Sequence, residues 1–154
     1  MINVLFVCLG NTCRSPMAEA LFRDLLKKEN LTNKVACDSA ATSAWHIGSP
    51  PHKGTLAILK TYNISSDGLV GRQLTREDFE KFDYIIGMDE SNTKNISEIT
   101  GKPNHPKIIR LLDLSEQNKD VPDPYYTGDF QETYDLISQG CQALLEKIRI
   151  EQTL

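Results

Sequence analysis

Residues 3–16 read NVLFVCLGNTCRSP: an apolar run that stops in a polar, glycine-bearing turn with two cysteines, then a proline. The run NVLFVC (3–8) has the β-branched and aromatic content of a buried strand. After it, Met17, Ala20, Leu21 and Leu25 recur at helical spacing up to Lys28, with Pro16 suited to a first helical turn and Ser15 to the cap before it. Strand, short loop and helix in that order open a βαβ unit, and in sheets built from such units ligands gather outside the carboxyl ends of the strands. Cys8 stands at such an end.

The alternation continues along the chain. Short apolar runs at 34–39 (KVACDS), 83–88 (DYIIGM) and 107–112 (KIIRLL) predict three more strands. Helical spacing predicts helices at 52–62, at 75–81 opening on the capping-box spacing Thr75-x-x-Asp78, at 89–99 and at 130–148. The last carries Tyr134, Ile137, Cys141, Leu144, Leu145 and Ile148 on one face, with Asp129 as its cap. No repeat, low-complexity tract or linker interrupts the pattern. Residues 1–154 are therefore expected to form a single α/β domain, a small doubly wound four-stranded parallel sheet with helices on both faces.

Composition narrows the partners. A net charge of −4 over 154 residues, with charges scattered throughout, offers no basic stripe for nucleic acid and no polybasic patch for a membrane. The run 2–9 lacks a basic leader and leads into polar residues and an arginine, unlike a secretory signal. Four cysteines in such a chain point to a reducing compartment, so the expected location is cytoplasmic.

The opening loop carries chemistry. Its spacing is Cys8, five residues, then Arg14 and Ser15. A compact loop before a helix turns backbone N–H groups of Leu9, Gly10, Asn11, Thr12 and Cys13 inward, and the helix N-terminus adds partial positive charge, making an anion cradle. Arg14 adds a planar fork that can hold two phosphate oxygens. The same positive surroundings favour a thiolate at Cys8, hence a nucleophile, and Ser15 can donate a hydrogen bond to that sulfur. No G-x-x-x-x-G-K-[ST] loop is present. A phosphate ester with a poor leaving group also needs a proton donor. Asp123, held between two prolines in DVPDPYYTGDF (120–130), is the candidate, with Asp120 and Asp129 weaker ones. Tyr125 and Tyr126 offer flat faces to an aryl group, and Trp45 lies in a Gly/Pro/Ser-rich loop.

VCLGNTCRSP at 7–16 resembles the phosphate loop of the low-molecular-weight protein tyrosine phosphatases, and the resemblance extends to DSA (38–40), FDYIIGMDESN (82–92) and DPYY (123–126). It implies metal-independent hydrolysis of phosphotyrosine through a phosphocysteine, without a cofactor, on phosphotyrosine proteins or aryl phosphates, with phosphate as a competitive ligand. It implies Cys8 as nucleophile, Arg14 on the phosphate and Asp123 as general acid. Leu9, Trp45, Tyr125 and Tyr126 line the mouth, and Asn11, Ser15 and Ser39 brace the loop. Cys13 pairs with Cys8 on oxidation. A bracing histidine of the family is missing before Arg72-Gln73, where Leu69 or Gly68 stands. Asp89 matches the family's Met-Asp but suits a helix cap equally. Three alternatives remain: an arginine phosphatase of the same fold, suggested by Thr12 in the loop; a thiol-dependent arsenate reductase, which needs further relay cysteines; and a non-catalytic phosphotyrosine-binding module, which needs neither a thiolate nor Asp123.

Overall fold

The computed structural model describes residues 1–154. Strands β1 (Ile2–Cys8), β2 (Val35–Ala41), β3 (Tyr84–Gly87) and β4 (Ile108–Arg110) form an all-parallel sheet in the order β2-β1-β3-β4. In register, Cys8 lies opposite Ala41 on β2, and Val7 opposite Gly87 on β3. The chain leaves β1 to one side for β2 and returns across it for β3, so the carboxyl end of β1 is the point where strand order reverses. Around the sheet lie α1 (Arg14–Lys28), α2 (Lys53–Thr61), α3 (Asp78–Lys81), α4 (Glu90–Thr100), α5 (Pro124–Thr127) and α6 (Phe130–Gln152).

Both faces of the sheet are covered, as the unbroken apolar strands require. Val4, Phe6 and Cys8 pack with Met17 and Phe22 of α1 and with Ile137 and Leu144 of α6. Leu5 and Val7 point the other way, onto Ala40, Phe79, Ile85 and Ile96. Each such buried Leu or Phe contributes about 1.5–3 kcal/mol. The α/β architecture expected from the sequence is thus the one observed. No helix is long and apolar enough to cross a membrane.

Local boundaries depart from expectation for identifiable reasons. Ser15 is not a cap: α1 begins at Arg14, Cys13 precedes it without a side-chain cap, and Ser15 sits in the first turn. The helix expected over 75–81 is regular only from Asp78, whose carboxylate reaches back to accept the Thr75 N–H (2.8 Å). Only that half of the capping box forms: the Asp78 N–H goes to Thr75 O (3.2 Å) and the Thr75 hydroxyl donates to the Asp78 carboxylate (3.2 Å), which also takes the Arg72 guanidinium (3.0 and 3.2 Å). Strand β4 ends at Arg110 and passes into a 3-10 turn over Leu111–Leu114, where Leu111 and Leu112 turn into the core. The one-turn α5 was not foreshadowed by periodicity; Pro124 starts it and the Asp123 side chain caps it by accepting the Tyr125 N–H (3.1 Å).

Candidate active site

The loop from Cys8 to Ser15 connects β1 to α1, and its left-handed residue is Asn11 (φ 54°) rather than Gly10. Asparagine tolerates that conformation better than other side chains. There the Asn11 N–H donates to Cys8 Sγ (3.3 Å) and its side chain is buried. The Arg72 N–H donates to Asn11 Oδ1 (3.1 Å), and since a backbone N–H can only donate, this contact fixes the orientation of the amide. Asn11 Nδ2 then donates to both Ser15 Oγ (2.7 Å) and Ser39 Oγ (2.9 Å).

A hydroxyl has one proton, so each serine, already accepting from Asn11, must direct its own proton elsewhere. Ser15 Oγ lies 3.1 Å from Cys8 Sγ, and toward a sulfur that has given up its proton the hydroxyl can only donate; Ser39 donates to Glu19 Oε1 (2.6 Å). Asn11 therefore sets the direction of a buried hydrogen-bond chain that ends on the sulfur. Burial pushes the Glu19 carboxyl above its ordinary value, and the Ser39 hydrogen bond offsets that only in part.

Arg72 is placed by the segment that runs beside the end of β2: the Ala41 N–H donates to Arg72 O (2.8 Å), and the Leu74 N–H to Ala41 O (2.7 Å). Its guanidinium spans Asp38 (3.0 Å) and Asp78 (3.0 Å). Burial opposes the charge on Asp78, but Arg72 and the Thr75 N–H outweigh it and hold the carboxyl below its usual range. The Arg72 main chain thus braces Asn11, while Leu69, which stands where the resemblance led to the expectation of a histidine, is buried in the core.

Arg14, 3% exposed, donates through one guanidinium nitrogen to Asp89 Oδ2 (2.6 Å) and to Val121 O (3.0 Å). Its other terminal nitrogen lies 3.4 Å from Asp123 Oδ2. Burial works against its charge, but Cys8, Asp89 and Asp123 together raise its pKa. Asp89 is used on both oxygens: Oδ1 accepts the Asn92 N–H (2.7 Å) as the cap of α4, and Oδ2 holds Arg14. The segment carrying Asp123 is tied down by the Val121 N–H to Met88 O (2.9 Å) and by Asp120, which accepts from the Glu90 N–H (2.9 Å) and from Arg110 (3.0 Å).

These elements enclose a cleft of about 140 Å³ lined by Cys8, Leu9, Gly10, Thr12, Cys13, Arg14, Trp45, His46, Asp123, Tyr125 and Tyr126. Trp45, Tyr125 and Tyr126 are exposed at the mouth. The Trp45 loop is pinned by Gly71, whose N–H and O bond Ser49 O and the Gly48 N–H (both 2.8 Å); a Cβ there would lie 2.3 Å from His46 O. A larger hollow of about 610 Å³ beside α4 and β4 holds no cysteine and no arginine, so the thiol and the guanidinium meet only in the smaller cleft.

Every residue singled out for the loop, the acid and the mouth converges on this cleft or on its bracing. The exceptions are the two weaker candidates for the acid: Asp120 accepts the first N–H of α4, whose cap is Asp89, and Asp129 caps α6. Four contributors escaped the sequence reading: Asp89 as the partner of Arg14, Arg72 and Glu19 in the brace, and His46 on the wall. Glu19 had one available signal, a lone carboxylate between Ala18 and Ala20 on an otherwise apolar stretch of α1. Burial raises the Cys13 thiol to about 11, Thr12 pulling it down and Asp123 and Cys8 adding to the rise. Cys37 is pushed up to about 12 by burial, and Cys141, enclosed against Ala18 O (3.9 Å), is raised further.

A family model described as low molecular weight phosphotyrosine protein phosphatase matches residues 3–154. The chain is 53% identical to the low molecular weight protein-tyrosine-phosphatase YfkJ of Bacillus subtilis, over 100% of both chains. The crystal structure of YfkJ superposes with a TM-score of 0.95, covering 98% of this chain and 96% of that one. The chain is 44% identical to the low molecular weight protein-tyrosine-phosphatase PtpA of Staphylococcus aureus, covering 96% of this chain and 94% of that one. At 32% identity and a TM-score of 0.85, covering 95% and 97%, it is also similar to a Drosophila arginine phosphatase. Matched over nearly its whole length in both sequence and fold, the chain belongs to the low-molecular-weight phosphotyrosine protein phosphatase family.

Proposed function

We propose that this chain hydrolyses phosphotyrosine and related aryl phosphates through a phosphocysteine on Cys8. The observation that carries the reading is the meeting of three groups in one cleft: a sulfur with a serine proton aimed at it, a buried arginine, and Asp123 within 3.4 Å of that arginine. The loop amides from Leu9 to Ser15 and the uncapped start of α1 receive the phosphate oxygens, and Arg14 neutralises their charge. Cys8 Sγ attacks phosphorus in line; the S–P bond forms as the bond to the aryl oxygen breaks, and Asp123 gives its proton to that oxygen. Water then attacks phosphorus, Asp123 takes its proton, and the sulfur leaves as a thiolate held by the Ser15 hydroxyl and the Asn11 N–H. Arg14 and the amides supply the charge stabilisation, so the mechanism calls for no metal. Product phosphate competes for the same cradle.

Trp45, Tyr125 and Tyr126 around the mouth favour a phenyl ring as the group that phosphate arrives on. Thr12 in the lining is the feature that suggests the arginine-phosphatase alternative. Against the arsenate reductase stands the burial of Cys141, the only cysteine in the second half of the chain. Asp123→Asn tests the assignment of the acid: turnover of phenyl phosphate should fall by roughly 10²- to 10⁴-fold. The loss should shrink with p-nitrophenyl phosphate, whose leaving group needs no proton. Equal losses on both esters would place the acid elsewhere.

A further inference from the structure

His52 precedes α2 and does not itself line the cleft, yet two of its parts touch residues that do, Thr12 and Tyr125. Its N–H donates to Thr12 O (2.8 Å), and one turn later the Thr55 hydroxyl donates to Cys13 O (3.2 Å), so the start of α2 is stitched to the phosphate loop. Its imidazole accepts the Gly54 N–H at Nδ1 (2.9 Å), capping the helix and fixing the ring plane. One face of that ring stacks on Phe130 at the start of α6 (centroids 5.2 Å, 20° between planes). Its edge meets Tyr125 (6.2 Å, 83°), and Tyr125 in turn meets Tyr126 (5.2 Å, 80°). Both separations fall within the range in which aromatic pairs attract.

Gly54 is part of the same arrangement. A Cβ at that position would lie 2.4–2.7 Å from the Phe130 ring, so only glycine lets Phe130 slide beneath the imidazole. Tyr125 and Tyr126 are 63% and 75% exposed and belong to a single helical turn, so they have little else to hold their rings in place. A ladder of four rings thus runs from α6 to the mouth, with His52 as the rung that is also bonded to the phosphate loop.

We infer that His52 is a specificity-determining positioning residue, which fixes the aromatic wall at a set distance from the phosphate cradle and so selects phosphate esters carrying a flat ring. The inference rests on the phosphatase reading of the same cleft. It separates the two tasks of His52: the main chain serves the cradle, and the ring serves the wall. A side chain that caps without an aromatic face should loosen only the wall. One that stacks without capping should keep it.

The experiment is competitive inhibition of wild type, His52→Asn, His52→Phe and Gly54→Ala by phenylphosphonate and by inorganic phosphate, with p-nitrophenyl phosphate as reporter. The readout is the ratio of the two inhibition constants. His52→Asn retains a capping acceptor and loses the ring, and its ratio should move about three- to tenfold against phenylphosphonate. His52→Phe should return the ratio to within about twofold of wild type, rescue that a purely structural role for the cap would not give. Gly54→Ala, which favours helix while displacing Phe130, should move the ratio in the same direction as His52→Asn. A ratio unchanged in His52→Asn, or phosphate and phenylphosphonate weakening together, would overturn the inference. Should wild type fail to hydrolyse the reporter, the phosphatase reading itself fails, an outcome distinct from any change among the variants.

Discussion

Asn11→Asp is the sharpest perturbation of the hydrogen-bond chain beneath the nucleophile, because it alters proton direction while leaving shape almost untouched. In the native loop the amide nitrogen donates to Ser15 and Ser39, which forces the Ser15 proton toward Cys8. An aspartate keeps an oxygen for the Arg72 N–H but presents a second oxygen where the nitrogen stood. Both serines then donate to it, and the Ser15 proton leaves the sulfur. A hydrogen bond to a charged partner is worth about 1.5–3 kcal/mol, so the population of reactive sulfur should fall about 10- to 150-fold. The new negative charge acts in the same direction. Alkylation by iodoacetamide at pH 6.5 under pseudo-first-order conditions measures this without requiring turnover, and kcat for an aryl phosphate should fall in parallel. Asn11→Gly supplies the contrast: it abolishes the side-chain bonds and costs more stability, yet leaves the Ser15 proton free to stay on Cys8. It should therefore alkylate faster than Asn11→Asp. Alkylation of Asn11→Asp at the wild-type rate would refute the directional argument; so would an equal loss in Asn11→Gly, which would reduce Asn11 to a simple brace.

Two further outcomes follow from buried groups. Burial raises the Glu19 carboxyl, so folding favours its protonated form, and the stability this gives is complete below the ordinary glutamate range and lost as pH rises through the folded value. Glu19→Gln, which still accepts from Ser39, should be nearly as stable as wild type in acid and become the more stable protein toward neutral pH. The difference should grow by about 1.4 kcal/mol per pH unit within that window, read by urea unfolding, and parallel pH profiles for the two proteins would contradict it. Peroxide should oxidise Cys8 to a sulfenic acid, which the Cys13 thiol then displaces with loss of water to give a Cys8–Cys13 disulfide, detectable by mass spectrometry and reversed by dithiothreitol. Because burial keeps Cys13 protonated up to about 11, linkage should form faster at pH 9 than at pH 7; its absence at both would remove the redox role.

Much of this was legible in the chain because local signals agreed with one another. NVLFVC, a polar loop and a proline-led helix marked where Cys8 stands, and two prolines around Asp123 marked its segment as rigid. Asp129 with Glu132 read correctly as a cap. The failures share a physical origin, in that the groups concerned act across long sequence separations. Asp89 was readable as a helix cap, but its second oxygen reaches Arg14, 75 residues away. Arg72 braces Asn11 with its main chain, which no side-chain pattern reveals. Ser15 looked like a cap by composition, whereas the tertiary demand of the sulfur places it inside the first turn. The aromatic ladder through His52 joins residues 52, 125, 126 and 130, and only the packing of α2 against α6 brings them together.

The central claim is tested most directly by phosphate release from matched phosphotyrosine and phosphoarginine peptides, using wild type and Cys8→Ser with a chelator and a reducing thiol present. The account predicts release that survives the chelator, favours phosphotyrosine and disappears in Cys8→Ser, while that variant still binds phosphate. Release that persists without the Cys8 sulfur, or that requires a metal, would contradict it. A preference for phosphoarginine would instead make Thr12 the determinant and strip the aromatic wall of its role.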